Sequence, residues 1–256
     1  YFTLEINNGG ELMIPTTFGL INHLIWTTVL GTVIILISPF DRFGRTGGKI
    51  MRLWSWIMLK ASGVRYRISG LDKLDRARHY FFAANHESAF DIPLCFSGLP
   101  FHVVSLAKIE LKNVPLLGWA MRCTKHIFID RYRMRKAVET IREAEKSLRK
   151  NPRSVLIFPE GERTVTSKMF PFKRGALRLA IKVGMPVVPI AICGTMQINK
   201  MGSYIIKGGD VELRIDHPVE TIEWQGKDAQ DFTDLIEEKV SFMRDSWHTK
   251  MNQVKT

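Results

Sequence analysis

Two side chains that can work together as a base stand five positions apart in the stretch AANHESAFDIP. They are His86 and Asp91, with Glu87 and Ser88 between them. A histidine that donates one ring N–H to a carboxylate can take a proton from a hydroxyl at neutral pH. The same stretch also predicts the start of a helix, in which Ser88 caps the first turn and Asp91 lies near its third residue. This stretch alone does not decide between the two interpretations.

Further charged side chains follow short apolar runs later in the chain. Lys108 comes after HVVSLA, Arg131 comes after HIFID, and SVLIF is followed by Glu160, Gly161 and Arg163. Ligand sites in open α/β sheets lie beyond the carboxyl ends of the strands, so these residues are candidates for one site. Arginine and lysine bind phosphate oxygens, and glycine lets a ligand approach the backbone. The alternatives are a solvated arginine and a simple pair between Glu160 and Arg163.

Short apolar runs that alternate with helical periods predict the elements that position these residues. Strands are predicted over 80–85, 102–107, 126–130, 154–158, 187–192 and 210–215. Helices are predicted over 90–98, 114–122, 134–150, 174–183 and 229–247. The alternation indicates an α/β domain over residues 63–256, with a central mixed, partly parallel sheet flanked by helices.

An uncharged run precedes this domain. No Asp, Glu, Lys or Arg occurs from Leu12 to Phe40, and Phe18 to Ser38 is long enough for a helix to span a bilayer core. A buried core helix is the alternative. Basic residues follow this run but do not precede it, so the positive-inside bias predicts that the rest of the chain lies on the cytoplasmic side.

A second helix is predicted at KIMRLWSWIMLKASG. At helical spacing Lys49, Arg52 and Lys60 share one face, while Trp54 and Met58 lie on the other. A basic face and an apolar face are typical of a helix that lies in a membrane interface. We therefore expect residues 1–62 to form a tail and a membrane-anchoring helical hairpin, either dipping into one leaflet or containing a true span.

The net charge of +12 implies a partner that carries negative charge. Nucleic acid, an anionic membrane, a phosphorylated substrate and an acidic carrier protein all qualify. Aromatic residues are not interleaved with basic ones on a predicted sheet face, so we expect no nucleic-acid partner. The cysteines, Cys95, Cys123 and Cys193, stand far apart and fit a reducing compartment. No cluster has metal-ligand spacing, and we expect no metal.

The ordered set of blocks resembles the glycerolipid acyltransferases. NHESAFD, FIDR, FPEGER and a final strand with Val188-Pro189 stand where that family has NHxSxxD, an FIDR-type block, FPEGTR and a VP-containing strand. The resemblance runs from about residue 65 to 220 and is closest to the bacterial lysophosphatidate acyltransferases. The third block departs from the family at Glu162, where threonine is usual.

This resemblance implies a reaction and assigns roles to the candidate residues. A fatty acyl group would move from acyl-CoA or acyl carrier protein to the sn-2 hydroxyl of 1-acylglycerol 3-phosphate (lysophosphatidic acid), giving phosphatidic acid at the cytoplasmic face of the cell's inner membrane without a cofactor. His86 and Asp91 would form the general base. Acceptor contacts would come from Arg131, Glu160, Gly161 and Arg163, with Lys108 as a further candidate. Alternatives are another lysophospholipid or glycerol 3-phosphate as acceptor, or a non-catalytic basic membrane-binding module.

Overall fold

Two packed helices begin the computed structural model, which describes residues 14–130, 134–164, 166 and 168–254. They are α1 (Ile14–Ile37) and α2 (Arg45–Ala61). Trp54 Nε1 donates to Thr27 Oγ1 over 2.9 Å, and His23 Nε2 lies 2.9 Å from Ser62 Oγ. From His23 to Thr27 in α1 the partner moves back along the chain from Ser62 to Trp54, so the two helices pack antiparallel.

The helix α1 is long and apolar enough to cross a membrane by length and composition. Its apolar window, Thr17–Ile37, has 21 residues and a mean hydropathy of 2.0, and only 11% of that window is buried inside the protein. This agrees with the apolar N-terminal helix that the sequence predicts. Most side chains of the window face away from the rest of the protein, which is unlike a core helix.

The structure corrects the expectation for the faces of α2. Met58 on the apolar face is buried, and Trp54 on the same face bonds α1, so this face packs within the protein. Arg52, expected on the exposed basic face, instead donates to the carbonyl oxygens of Leu99 and Phe101 over 2.6 and 2.7 Å. The periodicity identified an amphipathic helix correctly, but it could not show that protein covers the apolar face.

Within the described residues, seven strands form one sheet with the order β1-β7-β6-β2-β5-β3-β4. The strands are β1 (Val64–Ser69), β2 (Phe81–Ala84), β3 (Val103–Lys108), β4 (Ile127–Ile129), β5 (Ser154–Ile157), β6 (Val187–Cys193) and β7 (Gly209–Ile215). Neighbouring strands run parallel except β6 and β7, which are antiparallel. The predicted mixed, partly parallel sheet is confirmed.

The strand β1 is absent from the sequence prediction. It lies at the edge of the sheet and pairs with β7, with Val64 opposite Gly209. Arg65 and Arg67 are exposed and alternate with more buried residues. Charged side chains on one face are typical of an edge strand, and they break up the apolar run that marks a buried strand.

The helices that follow cover both faces of the sheet. They are α3 (Asp91–Gly98), α4 (Leu117–Cys123), α5 (Met134–Lys150), α6 (Arg174–Val183), α7 (Thr195–Ile198) and α8 (Ala229–Val254). Every predicted helix is present, α8 extends beyond its predicted end, and the short α7 was not predicted. Phe81 and Ala83 of β2 join the core under α5, α6 and α8, whereas Phe82 and Ala84 join the core under α2 and α3. Alternate residues of a strand point to opposite faces, so β2 is buried on both sides. Its carboxyl end lies at the edge that is formed by the strand ends, not at the lateral edge where β1 lies.

Candidate active site

Three chain segments meet where β2, β5 and β6 end. The strands are parallel, and Ala83 of β2 lies opposite Ile157 of β5 and Pro189 of β6. The segments that follow are joined by hydrogen bonds. Thr164 N donates to the His86 carbonyl over 3.0 Å, and Ser88 Oγ donates to the Asn199 carbonyl over 2.8 Å. The sheet thus gathers residues that are far apart in sequence at one edge.

His86 and Asp91 are in direct contact at this edge. His86 Nδ1 lies 2.8 Å from Asp91 Oδ2, and the side chains are 14% and 0% exposed. The imidazole stacks on Phe158 with the ring centroids 4.0 Å apart and the planes 18° apart. An ionised carboxylate only accepts hydrogen bonds, so the network assigns the proton to Nδ1 and leaves a lone pair on Nε2. Asp91 and Phe158 therefore fix the orientation of the ring, and Nε2 is available to a ligand.

The Asp91 carboxylate is held by four donors. Oδ2 also accepts from the backbone amides of Glu87 and Ser88 over 2.7 and 2.9 Å, and Oδ1 accepts from Thr195 Oγ1 over 2.5 Å. The predicted cap at Ser88 does not form, because the N-cap of α3 is Phe90 and no side chain caps it; Asp91 instead opens the helix, and its carboxylate reaches back to the Ser88 amide. The helix start and the His–Asp pair are thus the same structural feature.

Asn85 fastens this segment to the sheet. Its Nδ2 donates to the Ile192 carbonyl over 2.9 Å, and its Oδ1 accepts from the Ile192 amide over 2.7 Å. This pair of bonds replaces a backbone ladder step between the end of β2 and β6. In the sequence, Asn85 belongs to the first block but has no predicted role. The role that the structure gives it is to fix the position of the next residue, His86.

Glu160 joins the second segment to the first. It is 1% exposed, and its oxygens accept from the amides of His86 and Phe170 over 2.6 and 2.7 Å. Burial raises the pKa of Glu160 to about 7, against the lowering effect of these two amides. The carboxylate therefore bonds backbone amides instead of forming the simple pair with Arg163. Its predicted contact with an acceptor hydroxyl stays a prediction.

Gly161 and Arg163 follow Glu160 on the same segment. Gly161 has φ 87°, a left-handed conformation, and an added Cβ would lie 3.0 Å from Lys173 Nζ. The backbone conformation therefore favours glycine here, whereas the flexible Lys173 side chain could move aside for a Cβ. Arg163 is half-buried, and in the part of the chain that the structure describes its guanidinium has no hydrogen bond or ion pair. It precedes Thr164, whose amide bonds the His86 carbonyl, and it is a cation that is available to a ligand.

The two remaining candidates lie farther along the edge. Lys108 is the exposed last residue of β3, and β5 separates β3 from β2. This places Lys108 two strand spacings from β2, about 10 Å, in the plane of the sheet. Arg131 lies outside the described residues, so its predicted phosphate contact stays a prediction. Among the described residues no group of three or more His, Cys, Asp or Glu could hold a metal ion.

Three residues of the site gave no signal in the sequence analysis. Phe158 lies inside a quoted block but was given no role, although it carries the stacking contact with His86. Thr195 and Arg244 reach this segment from 104 and 157 positions away in the chain. Such distant partners can be found only from the packing of the folded chain, since neither residue type nor local spacing marks them.

A hydrogen-bonded His–Asp pair with a free imidazole nitrogen, next to an unpaired arginine at the edge of an α/β sheet, fits a class of enzyme that activates a hydroxyl for group transfer. The comparisons with known proteins specify that class. The family model described as Acyltransferase matches residues 65–193, half of the chain. The chain therefore belongs to the acyltransferase family.

Individual relatives carry a more specific name. The 1-acyl-sn-glycerol-3-phosphate acyltransferase of Saccharomyces cerevisiae is 32% identical over 172 residues, which cover 66% of this chain and 56% of the yeast protein. The human 1-acyl-sn-glycerol-3-phosphate acyltransferase alpha is 31% identical over 196 residues, covering 77% of this chain and 69% of the human one. The crystal structure of the 1-acyl-sn-glycerophosphate (LPA) acyltransferase from Thermotoga maritima superposes with a TM-score of 0.79. It is 24% identical, covers 92% of this chain and 95% of that one, and supports the fold.

Proposed function

We propose that this protein transfers a fatty acyl group from a thioester to the sn-2 hydroxyl of 1-acylglycerol 3-phosphate, giving phosphatidic acid. The names of the relatives support the acceptor and product. The donor, either acyl-CoA or acyl carrier protein, is inferred from the resemblance in motifs and from the basic charge of the chain, which suits either acidic donor.

The observation that carries the proposal is the orientation of the His86 imidazole. An alcohol is a poor nucleophile at neutral pH and needs a base within hydrogen-bond reach. With Nδ1 held on Asp91, Nε2 is the atom that can accept the hydroxyl proton. Asp91 keeps the required tautomer and stabilises the imidazolium as it forms, as the carboxylate does in serine hydrolases. Here the oxygen nucleophile belongs to the acceptor.

The reaction follows from this geometry. The acceptor oxygen attacks the thioester carbonyl carbon while its proton moves to His86 Nε2. The tetrahedral intermediate then collapses, the carbon–sulfur bond breaks, and the thiolate takes the proton back from the imidazolium. A thiolate leaves readily, so no nucleophile of the protein is needed. Proton transfer by a positioned base contributes about 10²–10⁴-fold in rate.

The acceptor phosphate is assigned to the cations near this pair. Arg163 has the position and the unused donors for a forked phosphate contact, and Gly161 lets the ligand approach the backbone. Arg131 and Lys108 would complete the phosphate site from the neighbouring strand ends. Glu160 would meet a glycerol hydroxyl or support these contacts.

The proposed acceptor, 1-acylglycerol 3-phosphate, is a membrane lipid. We assign residues 1–62 to an anchoring unit and residues 63–256 to the acyltransferase domain. The exposed apolar length of α1 supports membrane association. The basic residues after it, among them Lys49 and Lys60, fit an anionic cytoplasmic surface of the inner membrane.

An acceptor panel tests the proposed function. Full-length protein in detergent is given lysophosphatidic acid, glycerol 3-phosphate or lysophosphatidylcholine, each with acyl-CoA and with acyl carrier protein carrying the same chain. Thiol release and product mass are measured. We expect phosphatidic acid from lysophosphatidic acid. His86→Ala should lower this turnover at least about 10²-fold, because the base is lost.

The matched control is His217→Ala, which removes an exposed histidine after β7, at the opposite edge of the sheet from the site. It should keep the wild-type rate. Phosphatidic acid formation that survives in His86→Ala would remove His86 as the base. Thioester consumption with a different acceptor alone would move the proposal to that acceptor.

A further inference from the structure

Glu87 is a buried carboxylate of the site segment that the proposed reaction does not use. The residue is 2% exposed, and its Oε1 accepts from Arg244 Nε over 2.5 Å. Arg244 belongs to α8 and is 5% exposed, so both members of this ion pair are inside the protein. The pair connects the segment that carries His86 to α8, 157 positions later in the chain.

Both the backbone and the side chain of Glu87 bond neighbouring residues of the site. Its backbone amide donates to Asp91 Oδ2 over 2.7 Å, and its Oε1 also accepts from Asn85 Nδ2 over 3.2 Å. Asn85 is the residue that clasps Ile192 of β6. The Arg244 guanidinium therefore bonds the side chain of a residue that also contacts Asn85 and Asp91, the two residues that orient His86.

Stability alone gives no reason for this ion pair. Taking two charges out of water costs several kcal/mol, and replacing a buried pair by apolar side chains of similar size is often neutral or stabilising. Burial raises the pKa of Glu87, and the charge and hydrogen bond of Arg244 act against that rise. An apolar pair would join α8 to the segment equally well but would not fix the Asn85 amide or the charge beside Asp91.

We propose that Arg244 is a positioning residue for acyl transfer, which acts through Glu87 to hold Asn85 and the Glu87 amide where the His86–Asp91 pair needs them. This inference rests on the proposed function. It also has an electrostatic side. The ionisable groups that face Glu87 are Arg244, Asp91, Glu160 and Cys193, from α8, α3, the segment after β5 and β6.

The charge balance predicts different pH profiles for the two variants. Arg244→Met removes the charge that acts against the burial-driven rise in the pKa of Glu87, so Glu87 binds a proton and the surroundings of His86 lose both charges together. Glu87→Gln leaves the Arg244 cation uncompensated, which disfavours the imidazolium form of His86. The acidic limb of the pH profile of kcat/KM reports the protonation of His86 in the free enzyme. A role limited to packing would leave this limb in place in Glu87→Gln.

The test uses full-length protein in detergent with lysophosphatidic acid and acyl-CoA. For Arg244→Met we expect kcat to fall about tenfold to a hundredfold, with little change in KM or in the acidic limb. In Glu87→Gln the limb should move downward, with a smaller loss of kcat because the amide oxygen still accepts from Asn85. Arg244→Lys restores the charge without the Nε donor and should recover part of kcat.

Arg214→Met is the matched control. Arg214 also ties α8 to the sheet, through Met243 O and Ser246 Oγ, but it does not bond the segment 85–91. It should lower the thermal midpoint without moving the pH profile. Wild-type kcat in folded Arg244→Met, an acidic limb that does not move in folded Glu87→Gln, or losses that only follow the folded fraction in both arginine variants, would overturn the inference. Inactive wild-type protein would instead contradict the proposed function.

Discussion

The segment after β2 and the segment after β5 meet at the same edge of the sheet but use their polar side chains differently. In the first, the side chains of Asn85, His86, Glu87, Ser88 and Asp91 all bond atoms of the protein. In the second, Glu160 bonds two backbone amides, while Arg163 has no partner within the described residues. One segment is saturated with internal contacts, and the other presents a cation to a ligand.

This difference fits the roles that we propose for the two segments. A base works only when its lone pair points at the reacting atom, and a displacement of about 1 Å can cost about 10²-fold in rate. Internal hydrogen bonds set that direction before any substrate arrives. A phosphate contact needs free donors, because an arginine already paired in the protein must break that pair before it binds a ligand. The contrast predicts kcat effects from the first segment and KM effects from the second.

The largest effect in this contrast is expected for Asp91→Asn. The amide has one acceptor oxygen in place of two, and its NH2 group would face donors of the segment. The tautomer with a free Nε2 would lose its support, so kcat should fall about 10³–10⁴-fold while the KM for lysophosphatidic acid stays near wild type. Steady-state kinetics with thiol release, on protein whose thermal midpoint has been recorded, measures both parameters.

Thr195→Val provides the graded comparison. It keeps the carboxylate and removes a single donor to Oδ1. One buried hydrogen bond is worth about 1 kcal/mol, so kcat should fall by less than about tenfold. A kcat for Asp91→Asn as high as that of Thr195→Val would show that the saturated segment does not act through the tautomer of His86.

The sequence predicted the layered fold well because most of its elements are strongly marked. Runs such as SVLIF and VVPIAI become strands buried on both faces, and the helices predicted at 134–150 and 174–183 match α5 and α6. Prediction failed where a partner decides the outcome. Arg65 and Arg67 interrupt the apolar run of the edge strand β1, so the strand was not predicted. No local sequence pattern indicates that α1 packs against α2.

The site divides in the same way. His86 and Asp91 were predictable because they share one turn of chain and bond each other. The substrate contacts of Glu160 and Arg163 stay predictions, and the sequence did not indicate that Glu160 bonds the His86 amide. Thr195 and Arg244 contact the site through tertiary packing alone. Local spacing therefore predicts residues that bond their sequence neighbours, and it misses supports that come from other elements.

An effect on KM, smaller than the effect of Asp91→Asn on kcat, is expected for Arg163→Ala in the second segment. A charged hydrogen-bond donor to phosphate is worth about 1.5–3 kcal/mol, so the KM for lysophosphatidic acid should rise about tenfold to a hundredfold. The KM for acyl-CoA and the thermal midpoint should stay near wild type, because no described residue pairs with Arg163. Lys150→Ala removes an exposed charge from the end of α5, ahead of β5 and away from the strand ends of the site, and serves as the control. A KM that rises equally in both variants would indicate a general charge effect.

Glu160→Gln tests the residue that joins the two segments, and its effect is a pH dependence of stability. The pKa of Glu160 is raised by burial to about 7 from an ordinary value of 4.5. Between these values the unfolded chain loses the proton and the folded chain keeps it, so the free energy of unfolding falls as pH rises. The difference corresponds to about 3 kcal/mol, fully lost above the folded pKa. Glutamine resembles the protonated acid and does not titrate.

Thermal unfolding in detergent between pH 4.5 and 8 measures this effect. Wild-type protein should be more stable relative to Glu160→Gln at the acidic end and lose that advantage as pH approaches 7. Subtracting the variant removes the contribution of buried histidines such as His126, whose pKa burial lowers to about 3. Glu162→Gln, an exposed change on the same segment, should run parallel to wild type. If the Glu160→Gln curve also ran parallel, Glu160 would be ionised throughout, and the junction between the two segments would be held by a carboxylate that stays charged.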